Sequence, residues 1–163
     1  MNYVPDMELP NGNFETHHLK FYDGKERKVY VTDEEFILTH KIIFSKTNLD
    51  GIITSVNEPF IEASGWSKEE LIGKPHYILR HPHMPSVAFK DMWDSLTSEG
   101  RWSGYVKNLR KNGGYYWVHA VVQSLERDGK VIGYQSARKR IDEEQKRHYE
   151  AEYARMRGDV PVA

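Results

Sequence analysis

The apolar and polar positions of this chain change rhythm several times, and each change marks a predicted element. Residues 1–18 mix Pro, Gly, Asn and acidic residues with little periodicity, which predicts a mobile arm. LKFYDGKERKVYV reads as two short strands about Asp23-Gly24, and DEEFILTHK is expected to open a helical turn at Asp33. From residue 41 the pattern sharpens. KIIFSKTN and IITSVN are β-rich runs joined through Leu49-Asp50-Gly51. Asp-Gly favours a tight turn because both residues tolerate positive φ, so the pair reads as a hairpin. EPFIEASG reads as a short helix ended by Gly65, and SKEELIG as another, with Ser67 and Glu70 spaced as a capping box and Gly73 closing it. In SVAFKDMWDSL, residues Ala88, Phe89, Met92, Trp93 and Leu96 recur at helical spacing, so one face of that helix must be covered.

The remainder alternates as strands. WSGYVKNLR leads to Asn112-Gly113, YYWVHAVVQSLE to Asp128-Gly129, and VIGYQSARKR follows, an antiparallel meander with turn chemistry at each junction. IDEEQKRHYEAEYARMRG is polar and rich in helix formers, and is expected to be an exposed helix leaving the domain, with Ile141, Tyr149, Tyr153 and Met156 as a thin apolar seam. A second copy could pair along that seam to give a homodimer; a single solvated helix is the alternative. Antiparallel strands on both sides of a helical block predict an α+β domain, one five-stranded sheet covered on one face by helices. The chain therefore divides into an N-terminal extension or cap over 1–40, a domain over 41–140 and a C-terminal linker helix over 141–163.

Composition narrows the function classes. At 163 residues with 39% hydrophobic content there is material for one core and not for two. A formal net charge of -1, with basic residues spread along the chain, argues against nucleic acid as a partner. No apolar run approaches the ~20 residues of a membrane span, and the start lacks a secretory pattern, so the segment is read as cytoplasmic. Cysteine is absent, which removes disulfides, thiolate metal sites and thiol nucleophiles. No nucleophile elbow, P-loop or paired-carboxylate motif stands out, so the chain is not read as an enzyme.

Strand periodicity places Trp102, Gly104, Val106 and Asn108 on one face of their strand and Ser103, Tyr105, Lys107 and Leu109 on the other. The first set is odd for a packed core: a large aromatic, a position with no side chain, and an amide costly to bury without partners. Gly133 and Gln135 share a face of the last strand, and Asn57 adds a third amide. Gaps beside apolar walls with a few convergent amides describe a site for a flat heteroaromatic ligand. The alternative is that the amides satisfy loop backbone and the glycines relieve crowding. The loop LRHPHMP, residues 79–85, adds Arg80 and His81, held by Pro82 and Pro85.

The motifs N-x-x-F-x-x-x-S-G, G-x-P-H, R-H-P-x-M-P, W-x-G-x-V-K-N and Y-W-V occur in one order over residues 42–140. In that order and spacing the chain resembles the PAS domain of bacterial aerotaxis receptors, a sensory module that holds FAD non-covalently in that family. The resemblance implies flavin binding through Asn57, Arg80, His81, Trp93 and Asn108, with Trp102 and Tyr116 as pocket residues. It also implies redox or oxygen sensing in energy taxis, with a downstream signalling domain or chemoreceptor as partner. The family commonly has an acidic residue where this chain has His83. Gln135 has a weaker counterpart, the last-strand glutamine of light-sensing flavin PAS domains. Without cysteine, the flavin–thiol photoadduct of some light sensors cannot form.

Two other readings of the same residues remain: haem with His76, His81 or His119 as axial ligand, and a cofactor-free PAS interaction module in which Trp93 and Trp102 simply pack together. A metal site of His76, His81 and His83 is disfavoured because no nearby carboxylate completes a zinc pattern. In the flavin reading, Asn108 or Gln135 registers the redox change at the ring edge, because an amide can exchange its donor and acceptor ends by rotation. The exit helix is then expected to lead toward an output domain of a longer receptor.

Overall fold

A five-stranded antiparallel sheet in the order β4-β3-β7-β6-β5 carries the domain. Its strands are β3 (Ile43–Asn48), β4 (Ile53–Val56), β5 (Arg101–Leu109), β6 (Tyr115–Arg127) and β7 (Lys130–Arg140), preceded by a separate hairpin of β1 (Glu15–Lys20) and β2 (Glu26–Val31). The structure is a computed structural model and describes residues 4–158 of the chain. Between β4 and β5 run α1 (Glu58–Ser64), α2 (Lys68–Leu71), a 3-10 turn over His76–Leu79 and α3 (Ser86–Glu99), and α4 (Glu143–Met156) follows the sheet. The five-stranded sheet with its helical cover is the α+β arrangement expected from the sequence.

Local chemistry fixes these elements where the pattern placed them. Gly51 takes φ +78 in the β3–β4 turn, and Gly65 takes φ +78 at the end of α1. Ser67 and Glu70 form the capping box of α2, each side chain bonding the other's backbone N–H. On the inner face, Phe60, Ala63, Trp66, Leu71, Ile78 and Leu79 pack against Ile43, Ile53 and Val118 to make the main core.

Three expectations change. Residues 4–18 are not a loose arm: Val4 is buried in the main core, Glu8 N donates to Lys111 O, and Glu15–Lys20 forms β1. The DEEFILTHK segment is extended, not helical, because its backbone pairs with the start of β6: Phe36 N donates to Tyr115 O and Tyr115 N to Glu34 O. Gly114 permits that approach, since a Cβ there would lie 2.7 Å from Glu34 O.

The third concerns α4. It folds back across the outer face of the sheet, where β5 and β6 expose aromatic surface that water would otherwise cover. Tyr149 stacks on Tyr105 with centroids 4.0 Å apart, the Tyr153 hydroxyl donates to Tyr105 O at 2.6 Å, and Ile141 and Tyr153 are buried. Three of the four seam residues expected to meet solvent or a second copy, Ile141, Tyr149 and Tyr153, are thus turned onto the chain's own sheet, while Met156 stays half exposed.

Candidate functional site

The inner face of the sheet is hollow at its centre. Strands β5, β6, β7 and β3 place a row of short side chains side by side: Gly104 opposite Ala120, and Val122 opposite Ser136, which in turn faces Ser45. Directly opposed residues share a face, so this row lacks the volume to reach the helices above it. The result is a cavity of about 340 Å³, within the range of ligand pockets. Its lid is the apolar stripe of α3, Phe89, Met92, Trp93 and Leu96, of which only Leu96 is buried because the others face the hollow. That is the cover the helical spacing called for.

The loop 79–85 explains itself here. Arg80 bridges to Asn108 alongside β5, and the chain then passes round that strand's edge. Arg80 borders the cavity, its guanidinium 4.3 Å over the Phe89 ring and its Nη2 donating to Met84 O. Three residues later the loop is on the outer side. There His83 Nδ1 lies 2.9 Å from Lys107 Nζ, and Lys107 Nζ pairs with Glu150 of α4 at 2.9 Å. The Arg157 guanidinium adds a bond to His83 O. Burial would raise the Glu150 carboxyl, but hydrogen bonds from His83 and Lys107 outweigh it and hold its pKa at about 2. With His83 in place of the acid the resemblance implies, the loop is braced by Lys107 and by the Glu150 carboxylate of α4.

Arg138 of β7 closes the cavity floor. Its Nη2 lies 3.1 Å from Ser45 Oγ and 2.7 Å from His76 Nε2, while Nη1 is buried with no hydrogen-bond partner. Burial pulls its pKa down to about 10, and no ion pair forms at Arg138 among the described residues. Burial and then Arg138 push His76 down to about 3, so that ring is neutral. Arg80 Nε, Asn108 Nδ2 and Ser136 Oγ are likewise buried without a partner of hydrogen-bonding geometry, and all three residues border the same cavity. Nearly all buried polar groups in proteins are satisfied, so four at one cavity single it out as the candidate ligand site.

The expected site residues divide. Arg80, Trp93, Trp102 and Asn108 border the cavity. The Trp102 ring lies flat over Gly104, where a Cβ would come within 2.3 Å of it, and its Nε1 donates to Asp91 at 2.9 Å, so it walls the cavity without filling it. Trp93 meets Tyr134 edge-on at 5.4 Å and does not pack against Trp102 to plug the space. Tyr116 stands opposite Asn108 on β6, fully buried just behind the wall, its hydroxyl raised to about 12 by burial against the pull of Arg138 and Asn108.

Asn57 and His81 are placed away from the cavity, and Gln135 stands at its border. Asn57 is the N-cap of α1: its Oδ1 accepts from Phe60 N and Phe44 N and its Nδ2 donates to Ile42 O, which commits both ends of the amide to backbone. His81 is fully buried under its loop, with Nδ1 accepting from His83 N. Gln135 also borders the cavity, although it lies opposite Gln123 and Lys46, one step out of the row of short side chains, and its amide donates to Gln123 Oε1 at 3.3 Å. Gly133 shares that parity and relieves contact with Thr47 O, 2.1 Å from a Cβ placed there, so it leaves no gap for a ligand. Of the histidines weighed for haem, only His76 borders the cavity; His119 lies against Tyr105 on the outer face. The residues that sequence reasoning passed over are Arg138, Ser136 and Ser45, whose one available signal was an arginine alternating with small polar residues in YQSAR.

A family model described as PAS fold matches residues 53–138. The aerotaxis receptor of Escherichia coli (strain K12) is 44% identical over 117 residues, 71% of this chain and 23% of that protein. The biofilm dispersion protein of Pseudomonas aeruginosa is 31% identical over 93 residues, 53% of this chain and 22% of that protein. The chain thus spans under a quarter of the length of these relatives. Among solved structures, the PAS domain of a Colwellia psychrerythraea protein aligns with TM-score 0.57 at 23% identity, over 61% of this chain and 86% of that one. The light-state structure of the blue-light photoreceptor Aureochrome1 LOV aligns with TM-score 0.59 at 19% identity, over 71% and 91%. These two share the fold. Sheet order, helical lid and family match agree: this chain belongs to the PAS fold family.

Proposed function

We propose that the cavity holds a flavin non-covalently, as FAD, and that this PAS domain is a cytoplasmic sensor reporting redox or oxygen state to a chemotaxis-type output. The observation that carries this reading is Arg138, an enclosed guanidinium with one nitrogen unpartnered and no counter-charge among the described residues. A buried charge of that kind costs several kcal/mol, and a guest that brings acceptors offsets it. The pyrimidine end of an isoalloxazine presents carbonyl oxygens and ring nitrogens to such donors. The ring system is flat enough to lie between the Val106 and Val122 floor and the α3 lid. The likeness to the aerotaxis receptor supports the same reading.

A bound flavin would supply reversible electron uptake, with a change of charge and protonation at its ring edge. Arg138, fixed by Ser45 and His76, favours the more negative form. Asn108 can turn its amide to present either a donor or an acceptor. Its neighbour Lys107 points to the opposite face, where it holds Glu150 of α4. A shift of β5 at Asn108 is therefore felt at the docking of α4, the element that leads on toward an output domain or a chemoreceptor partner.

The test is mass spectrometry of the ligand released from gently purified protein, paired with its absorption spectrum. Flavin bands and the mass of FAD are expected. A Soret band would favour haem, and a colourless protein that stays empty when offered FAD would favour an interaction module.

A further inference from the structure

The β1–β2 hairpin lies outside the stretch matched by the family, yet its tip borders the cavity: Lys20, Phe21 and Tyr22, three successive residues, line the opening. The tip is pinned there. Phe21 stacks on Tyr77 with centroids 3.8 Å apart and rings 2° from parallel, and the Tyr77 hydroxyl donates to Asp23 at 2.8 Å. The Tyr22 hydroxyl donates to Asp50 O at 2.7 Å, and further back Arg27 donates to Ile78 O at 2.9 Å. Across the opening, α3 contributes Lys90 and Trp93.

The inner chamber and this vestibule differ in chemistry. The chamber is apolar with a few enclosed donors. The vestibule leaves large aromatic surface in water, Tyr22 at 70% and Trp93 at 36% exposure, beside two lysines. Lys20 makes no ion pair among the described residues, and Lys90 is held only by Asp94 on its own helix. Stacking faces next to cations are the means by which proteins hold bases and phosphates at a surface. Resting on the flavin reading above, we infer that the hairpin tip is the outer half of the ligand site. Lys20 receives phosphate and Tyr22 receives the second base, so the hairpin selects a dinucleotide over a mononucleotide.

The full chain, stripped of ligand, is titrated with FAD, FMN and riboflavin and followed by flavin fluorescence. The unsubstituted protein binds FAD more tightly than riboflavin. Tyr22→Ala weakens FAD about five-fold or more, as expected for loss of one base-stacking contact, and leaves FMN and riboflavin unchanged. Tyr22→Phe keeps the ring, loses the bond to Asp50 and retains FAD affinity. Lys20→Glu weakens FAD and FMN roughly three-fold at low salt, spares riboflavin, and has less effect as salt is raised. Equal affinity for the three flavins in the unsubstituted protein, or equal loss of all three on Tyr22→Ala, overturns the vestibule while leaving the chamber as a flavin site. Failure of the unsubstituted protein to bind any of them overturns both.

Discussion

Replacing Arg138 by methionine separates a binding group from a structural one, because the two roles predict opposite signs. In the ligand-free protein the substitution removes two hydrogen bonds from Nη2, at 3.1 Å to Ser45 and 2.7 Å to His76, worth about 0.5–1.5 kcal/mol each. Ser45 and His76 are already 3.5 Å apart and can turn to each other. Against that loss, the enclosed charge and its unpartnered Nη1 are gone, and replacing buried ionic groups with apolar ones of similar size is often neutral or stabilising by about 1–4 kcal/mol. The expected net effect on the apo-protein is a gain of about 1–2 kcal/mol, or roughly 2–8 °C in Tm for a chain of this size. Flavin affinity moves the other way: a lost charge-assisted hydrogen bond of about 1.5–3 kcal/mol weakens Kd roughly ten- to a hundred-fold. Urea unfolding of the apo-protein and a fluorescence titration with FAD measure the two. An Arg138→Met protein that loses several kcal/mol of stability and binds FAD as before would refute the assignment.

Three other substitutions probe the frame around that group. Gly104→Ala puts a methyl 2.3 Å from the Trp102 ring, so the ring leaves its place and the bond to Asp91 at a cost of about 1–3 kcal/mol; unchanged tryptophan fluorescence and FAD affinity would contradict it. Asn57→Ala loses three hydrogen bonds to backbone and about 2–3 kcal/mol of stability in a chemical melt, with FAD affinity unaltered below the melting transition; a selective loss of FAD would instead make Asn57 a ligand contact. Because the Glu150 pKa is depressed in the fold, its contribution is fully present above its unfolded value near 4.5 and is lost as pH falls through about 2. Near-UV circular dichroism of the stacked Tyr105–Tyr149 pair is expected to fade over that window, and Glu150→Gln should remove the acid dependence; an identical acid profile in both proteins would disprove the link.

The parts of this fold that were legible in the sequence are those set by local chemistry. Asp50-Gly51, Ser67 with Glu70, and the meander turns at Asn112-Gly113 and Asp128-Gly129 specify their own geometry, and the parity of β5 put Trp102, Gly104 and Asn108 on the correct side. The parity of β7 was not legible. YQSARKR offers a glutamine on one face and an arginine on the other; pairing with β3 sets Arg138 against Ser45, 93 positions away, and leaves Gln135 at the cavity border bonded to Gln123. The same holds for Asn57, whose amide suits a ligand edge or a helix cap, and for the N-terminal segment, whose contacts are with Lys111, Tyr77 and Tyr115. The α4 seam was visible, but the surface it needed was not, since Tyr105 and Trp117 come together only once β5 and β6 pair.

Both rims of the sheet are hemmed by the chain itself. At β4, Ile53 N donates to Lys74 O and Gly73 N to Ile53 O; at β5, Arg80 bridges to Asn108 and Lys107 N reaches Met84 Sδ. Along these residues no ladder is left for another polypeptide to extend, which keeps neighbouring molecules from zipping together strand to strand. The hem along β5 also walls the cavity, so one length of backbone covers the sheet edge and shapes the proposed site at once. Breaking the Arg80–Asn108 bridge would uncover an adhesive border, and a substitution that does so should accordingly favour aggregation.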